Sequence, residues 1–334
     1  MVYSEIEFQN IKNIKDVTLS SKNIVFCTGK RVLIYDKKWQ LIHELDNLKY
    51  IYKAVFSPDE KKVLLISNQN HFIVVNLDPF LVTKKTIVGK YNGPLSGLGC
   101  WGKDSNSIYV CPSRNDNCLS VLRIYDLKDW NLYQDRLVDK YCLTSISFIP
   151  QLNKYFLTGF NYENHGNYII WLNDDFFEEY RIQNFNDCIS HAIYDVNQNC
   201  CIIHGLEQTI LCDYNGRIQQ RLTLRDSITT SFSDIFLNFA LENNTIAAIT
   251  FFSNILALEN TSINDSINCL ILSKNKKYVY IGSNKSFFVL NASSQNLELK
   301  IPVEYGVHKI IELTSKTILL ITWNGAKIFN FEEN

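Results

Sequence analysis

The sequence predicts an all-β chain in which one four-stranded unit is repeated around a ring. Three observations carry that expectation. Short apolar runs of roughly five to seven residues alternate with clusters of Asn, Asp, Gly, Ser and Lys, the punctuation of strands joined by turns. No segment keeps a helical period over three turns. The runs also recur in a fixed order, with first strands placed near residues 16, 52, 97, 143, 189, 232, 267 and 307, a mean spacing of about 42 residues.

The unit opens with two apolar strands around a polar turn. Ala54-Val55-Phe56, Ser57–Lys62 and Val63–Ser67 form one example; Ile271-Leu272, Ser273–Lys277 and Tyr278–Gly282 form another; Ile146-Ser147-Phe148, Ile149–Asn153 and Lys154–Gly159 form a third. A third strand follows, as in Arg31–Asp36 and Leu122–Asp126, and then a more polar fourth, as in Gln40–Leu45. The last unit has only three strands of its own, Val307–Leu313, Thr317–Thr322 and Ala326–Phe331. The alternating segment Val2–Phe8 is expected to complete it as the outer strand and so close the ring. The sixth unit is the weakest, its outer strand being placed near the short polar stretch Asn260–Asp265. Eight units are expected, or seven if the sixth is a long insertion.

These features resemble the WD40-type β-propeller, and the likeness spans nearly the whole chain as a single domain, residues 1–334. The turn Phe56-Ser57-Pro58-Asp59 and the third-strand endings Tyr35-Asp36 and Tyr125-Asp126 are the nearest matches. No Gly-His dipeptide precedes a unit and no third strand ends in Trp-Asp, so the likeness is to a degenerate, WD40-like repeat. It implies a single-ring propeller of four-stranded blades.

Composition narrows the function. In 334 residues, 33 Lys+Arg balance 34 Asp+Glu, which gives no bulk positive field for nucleic acid. Residues 1–10 hold Glu5 and Glu7 and no apolar core, so no secretory signal is read there. The longest apolar stretch, Ile246–Phe252, falls far below the ~18 residues of a spanning helix. Most of the ten cysteines sit in apolar runs such as Ile24–Cys27 and Cys200–Ile203. With no CxxC motif, they read as buried free thiols of a reducing, cytoplasmic compartment. Cys111 and Cys118 flank a turn, where paired free thiols are favoured over a bond. The N-x-S/T sites at Asn243, Asn260, Asn264, Asn284 and Asn291 match chance in an Asn-rich chain.

Motifs for chemistry are few. Gly97-Leu98-Gly99-Cys100-Trp101-Gly102 matches GxGxxG, but a turn and the strand Ile108–Cys111 follow it. A dinucleotide site needs a helix there, so a crowded inner strand is the better reading. His43, His71, His165, His191, His204 and His308 form no metal-ligand spacing, and no GxSxG elbow occurs. No catalytic residue, metal or cofactor is assigned. Asp174, Asp175, Glu178 and Glu179 around Phe176 and Phe177 read as charges guarding a sheet edge, with docking as the other use.

Loop length points to a surface. Three long connections, 89–94, 112–117 and 160–167, belong to neighbouring third and fourth units and would emerge on one face. The expected partner-binding patch is Lys90, Tyr91, Asn92, Arg114, Asp116, Asn161, Tyr162 and His165. Tyr and Arg are common anchors of protein interfaces. A non-enzymatic protein-interaction module is therefore expected, either a scaffold subunit or a dedicated inhibitor or immunity-type binder. The alternative is an enzyme or a small-ligand or calcium-binding propeller using its central channel.

Overall fold

The computed structural model describes residues 2–8, 11–67, 71–87, 98–111, 120–138, 141–173, 177–189, 191–196, 199–205, 208–223, 227–233, 236–241, 246–250, 255–258, 265, 267–275, 277–294 and 296–332. All 32 elements among them are β-strands. They assemble into eight four-stranded sheets, numbered here in chain order by their first strands. Those strands are Asp16–Leu19, Ile51–Phe56, Leu98–Trp101, Tyr141–Ile149, His191–Asp195, Ser227–Ser233, Ile267–Leu272 and Val307–Thr314. Each lies within a few residues of its expected start.

The chain divides into two compact units. Lys15–Leu224 holds the first five sheets; Met1–Ile14 with Arg225–Asn334 holds the last three. The sixth sheet corrects one expectation. Its outer strand is the apolar Ile255–Leu258, which pairs with Ile246–Thr250, and not the polar stretch near 260–265. An apolar run beside an open ladder edge gains more from pairing than a polar run exposed to water.

Within the larger unit, neighbouring sheets pack face to face, and the side-chain alternation of single strands shows how. In the second sheet, Val63 and Leu65 join Val25 and Ile34 of the first, whereas Leu64 and Ile66 join Ile108 and Val110 of the third. In the fourth sheet, Tyr155 and Leu157 meet Tyr109 and Leu122 of the third, whereas Phe156 and Trp171 meet Ile203 and Ile210 of the fifth. The period is two, and both faces are covered. Each fully buried Val, Leu or Ile is worth roughly 2 kcal/mol, so these seams carry most of the stability. Directed bonds add register between sheets. Trp101 Nε1 donates to the Val55 carbonyl at 2.8 Å, and the Ala54 amide donates to Asp16 Oδ2 at 3.2 Å.

A repeated cap explains the Tyr-Asp endings noted in the sequence. The Asp36 carboxylate accepts the amides of Lys38 and Gln40, both at 2.8 Å. Asp126 accepts Lys128 at 2.7 Å, and Asp213 accepts Asn215 and Arg217 at 2.9 Å. Each closes the turn from third to fourth strand, where a free turn amide would otherwise compete for water. The ladder steps by one residue just before each cap, at Ile34/Tyr35, Ile124/Tyr125 and Leu211/Cys212. Such a bulge sharpens the local twist.

In the smaller unit, Val2–Phe8 runs antiparallel along Gly325–Glu332 with Val2 opposite Glu332 and Phe8 opposite Ala326. The chain's first strand is thus the outer strand of its last sheet. Lys327 Nζ reaches Glu5 Oε1 at 2.6 Å, and the Tyr3 ring lies 5.6 Å from that of Phe329. Removing residues 1–9 should therefore strip a full ladder from the eighth sheet and lower the melting temperature by about 5 °C or more, read by circular dichroism.

Seven of the nine described cysteines are buried. Burial pushes the thiols of Cys200 up to about 11 and of Cys269 up to about 12. Cys188 is exposed and Cys142 half-buried. Cys118 lies outside the described residues. Thiol titration of the native protein should find Cys188 the fastest-reacting of these nine, with the seven buried groups reacting only on unfolding.

Candidate functional site

Of the eight residues expected at the partner surface, three are described, and they share one hairpin of the fourth sheet. It joins Lys154–Asn161 to Gly166–Leu172. Asn161 is 3% exposed, so it sits beneath the surface it was expected to form. Its Oδ1 accepts the amides of Glu163 at 2.9 Å and Asn164 at 3.4 Å, an inward cap that fixes the loop. Asn164 continues the wiring: Oδ1 accepts the Gly166 amide at 3.1 Å, and Nδ2 donates to the Tyr168 hydroxyl at 2.8 Å. His165 takes φ of 50°, the left-handed turn position that ends the loop.

Of the three expected residues, Tyr162 and His165 are exposed, as are Glu163 and Asn164 between them. Tyr162 is 42% exposed and stands edge-on to Phe160, with ring centroids 5.2 Å apart. The His165 ring lies 6.3 Å from the same Phe160. The structure thus gathers Tyr162 and His165 around Phe160 on a loop held by its own hydrogen bonds. Lys90, Tyr91, Asn92, Arg114 and Asp116 lie outside the described residues.

The acidic turn resolves into structure. Phe177–Arg181 is the outer strand of the fourth sheet. Glu178 receives Lys154 Nζ at 3.0 Å, the Tyr214 hydroxyl at 3.1 Å and the Tyr180 hydroxyl at 3.2 Å. Tyr214 belongs to the fifth sheet and stacks on Trp171 with centroids 4.4 Å apart, so the cluster ties two sheets together. The bond from Lys154 is the main reason the Glu178 carboxyl sits below its usual range, and the bond to Tyr214 is the main one that raises Lys154. Glu179 accepts the Tyr141 hydroxyl. Phe177 is offered to solvent at 53% exposure, and Glu179 is exposed as well. Residues 174–176 lie outside the described residues.

A cavity of about 600 Å³ in the larger unit is lined from the first strands of the first four sheets and the turns after them, by residues that include Asp16, Lys53, Phe56, Cys100, Trp101 and Phe148. One acid and one base stand among mainly apolar walls, and burial raises the Cys100 thiol out of reach of ionisation. A calcium site needs several oxygen ligands. Among the described residues, no three His, Cys, Asp or Glu side chains converge in ligating geometry. The GxGxxG segment runs as strand Leu98–Trp101, turn, and strand Ser107–Cys111, with no helix. A Cβ on Gly99 would stand 3.2 Å from Ile66, so glycine serves close packing there. Gly97 lies outside the described residues.

Loop length missed one surface. In the smaller unit, the tight turn after Thr317–Thr322 carries Trp323 at 64% exposure, stacked on His308 with centroids 4.7 Å apart. The available signal was a Trp at the tip of a short hairpin, Trp323-Asn324-Gly325, rather than a long connection. Elsewhere in that unit, Glu312 is 7% exposed; its Oε2 accepts the Lys274 amide at 2.7 Å while Oε1 has no partner among the described residues.

No protein-family model and no curated protein matches the chain by sequence. Solved structures match its fold. A computationally designed protein, Ika8, is 12% identical with a TM-score of 0.68 over 97% of this chain and 98% of its own. BamB from Moraxella catarrhalis is 8% identical with a TM-score of 0.65 over 98% of both chains. Hydrazine synthase of Kuenenia stuttgartiensis is 10% identical with a TM-score of 0.55, again over 98% of both. At these identities the likeness extends to the fold, which is all-β and propeller-like with four-stranded blades. No helix among the described residues is long and apolar enough to cross a membrane.

Burial is the main reason the Glu312 carboxyl titrates above its usual range. A carboxyl raised on folding costs stability above its unfolded pKa, and the cost fades as pH falls from the folded to the unfolded value. E312Q keeps the acceptor for Lys274. It should stabilise the protein at pH 7, a gain that shrinks as denaturation is repeated at falling pH through the ordinary carboxylate range.

Proposed function

We propose that the chain is a non-enzymatic interaction module that presents loops of a rigid, single-ring propeller to one partner protein. The fourth-sheet hairpin is the observation that supports this most directly. Tyr162 is exposed on a loop whose hydrogen bonds to Asn161 and Asn164 already fix its shape. A preordered aromatic tip loses little entropy on binding and offers rigid apolar area with a polar end. The contact surface is Tyr162 and His165 with Lys90, Tyr91, Asn92, Arg114 and Asp116, and Asn161 acts beneath them as the loop's cap.

The ring is read as eight WD40-like blades in one domain. The eight four-stranded sheets and the completion of the last by Val2–Phe8 support that reading. The role is that of a scaffold subunit or of a dedicated inhibitor. A reducing, cytoplasmic setting fits seven cysteines buried among apolar side chains. The second reading, a ligand site or enzyme in the channel, draws on the cavity at Asp16 and Lys53.

Affinity purification of the tagged chain should recover one protein in stoichiometric amount. Replacing Tyr91 and Tyr162 together by Ala should weaken that complex by about 2 kcal/mol or more, measured by calorimetry, with the melting temperature unchanged. Unaltered affinity would move the surface elsewhere. Bound calcium or catalytic turnover in place of a protein partner would favour the channel.

A further inference from the structure

We propose that the eighth sheet carries a second site, a platform centred on Trp323 for the flat face of a neutral sugar. It is independent of the fourth-sheet loops. Trp323 is the most exposed large hydrophobic side chain among the described residues, at 64%. Leaving an indole in water forfeits the gain of burying it, and patches of this kind mark binding surfaces. The indole is also held in place. Its own amide donates to the Gly306 carbonyl at 3.3 Å. The turn is tied by Thr322 Oγ1, which donates to the Gly325 carbonyl at 3.1 Å and accepts the Asn324 amide at 3.3 Å. His308 stacks on one face of the ring at 4.7 Å and 28°. With that stack in place the side chain is still 64% exposed, which leaves indole surface for a ligand.

The surroundings select the ligand. Gly306 runs directly against an exposed amide pair: a Cβ there would stand 3.2 Å from both Asn268 Nδ2 and Asn284 Oδ1. Asn268 Nδ2 donates to Asn284 Oδ1 at 2.9 Å, which leaves the Asn268 amide oxygen and the Asn284 amide nitrogen without a partner among the described residues. Tyr305, 44% exposed, precedes Gly306. The adjoining cleft, lined by Tyr305, Asn324 and Lys327, holds only about 20 Å³, too little to take an inserted side chain of a protein partner. Lys327 is paired to Glu5 at 2.6 Å, which weakens its attraction for a phosphate. A flat ligand with a C–H face for the indole and hydroxyls for the amides fits ring, pair and shallow cleft together.

The test titrates the full chain with cellohexaose and maltohexaose, following tryptophan fluorescence, and screens it on an array of neutral glycans. Saturable binding of a neutral glycan is expected. W323A should weaken it at least tenfold, about 1.4 kcal/mol. W323F should weaken it less, and N284A should weaken it without touching the indole. Y162A should leave it unchanged, which separates this site from the proposed protein surface. Matching circular dichroism melts show that the variants fold. No retained neutral glycan, or glycan binding indifferent to W323A and N284A, overturns the proposal. So does a W323A defect confined to a peptide or an oligonucleotide.

Discussion

The larger unit rests on one constraint: the middle strands of its sheets are apolar on both faces. In Asn23–Cys27 the last four residues are all buried, and Gly166–Leu172 is buried throughout. Successive residues of a strand point to opposite sides, so a single covering layer cannot satisfy such a run. The second, third and fourth sheets are accordingly packed by a neighbour on either side. Val63 and Leu65 turned one way and Leu64 and Ile66 the other show it within four residues. An isolated sheet of this composition would leave both apolar faces in water, at roughly 2 kcal/mol for each large side chain.

The same constraint sets where polar groups go. Leu41–Leu45 and Phe177–Arg181 hold only exposed and half-buried residues, because the outer strand has an uncovered side. Charges collect there and are put to use, as with Glu178 between Lys154 and Tyr214. Polar groups at the ends of the second and third strands close turns: Asp36, Asp126 and Asp213 by their carboxylates, Thr322 by its hydroxyl. Once the faces and turns are occupied, hairpin tips are where side chains can be offered outward. Tyr162 and Trp323 occupy such tips, in different units and in different chemical settings.

Tightness of the frame also explains which residues are unsuited to chemistry. Burial holds the Cys100, Cys200 and Cys269 thiols protonated and makes them packing groups. Glu312 is the opposite case, a carboxyl taken out of water with one oxygen unpaired among the described residues, and it works against stability. The cavity beside Asp16 and Lys53 is bordered by strands already committed to sheet contacts, such as Trp101 bonded to Val55.

The sequence by itself determined the strands, their grouping in fours and the first-strand starts, because a period of two and turn residues are local signals. It also determined that Val2–Phe8 belongs to the last sheet, since a three-stranded final unit left a ladder edge unfilled. The tertiary structure decided the rest. The sixth sheet closes with Ile255–Leu258, a choice that pairing energy makes and hydropathy alone does not. Asn161 turns inward because the amides of Glu163 and Asn164 lie within its reach, a matter of three-dimensional proximity. Trp323 gains its support from His308, fifteen positions earlier in the chain, through a stack between strands that no loop length reveals. Contacts between sequence-distant side chains depend on how sheets stack, and that geometry is written in no single segment.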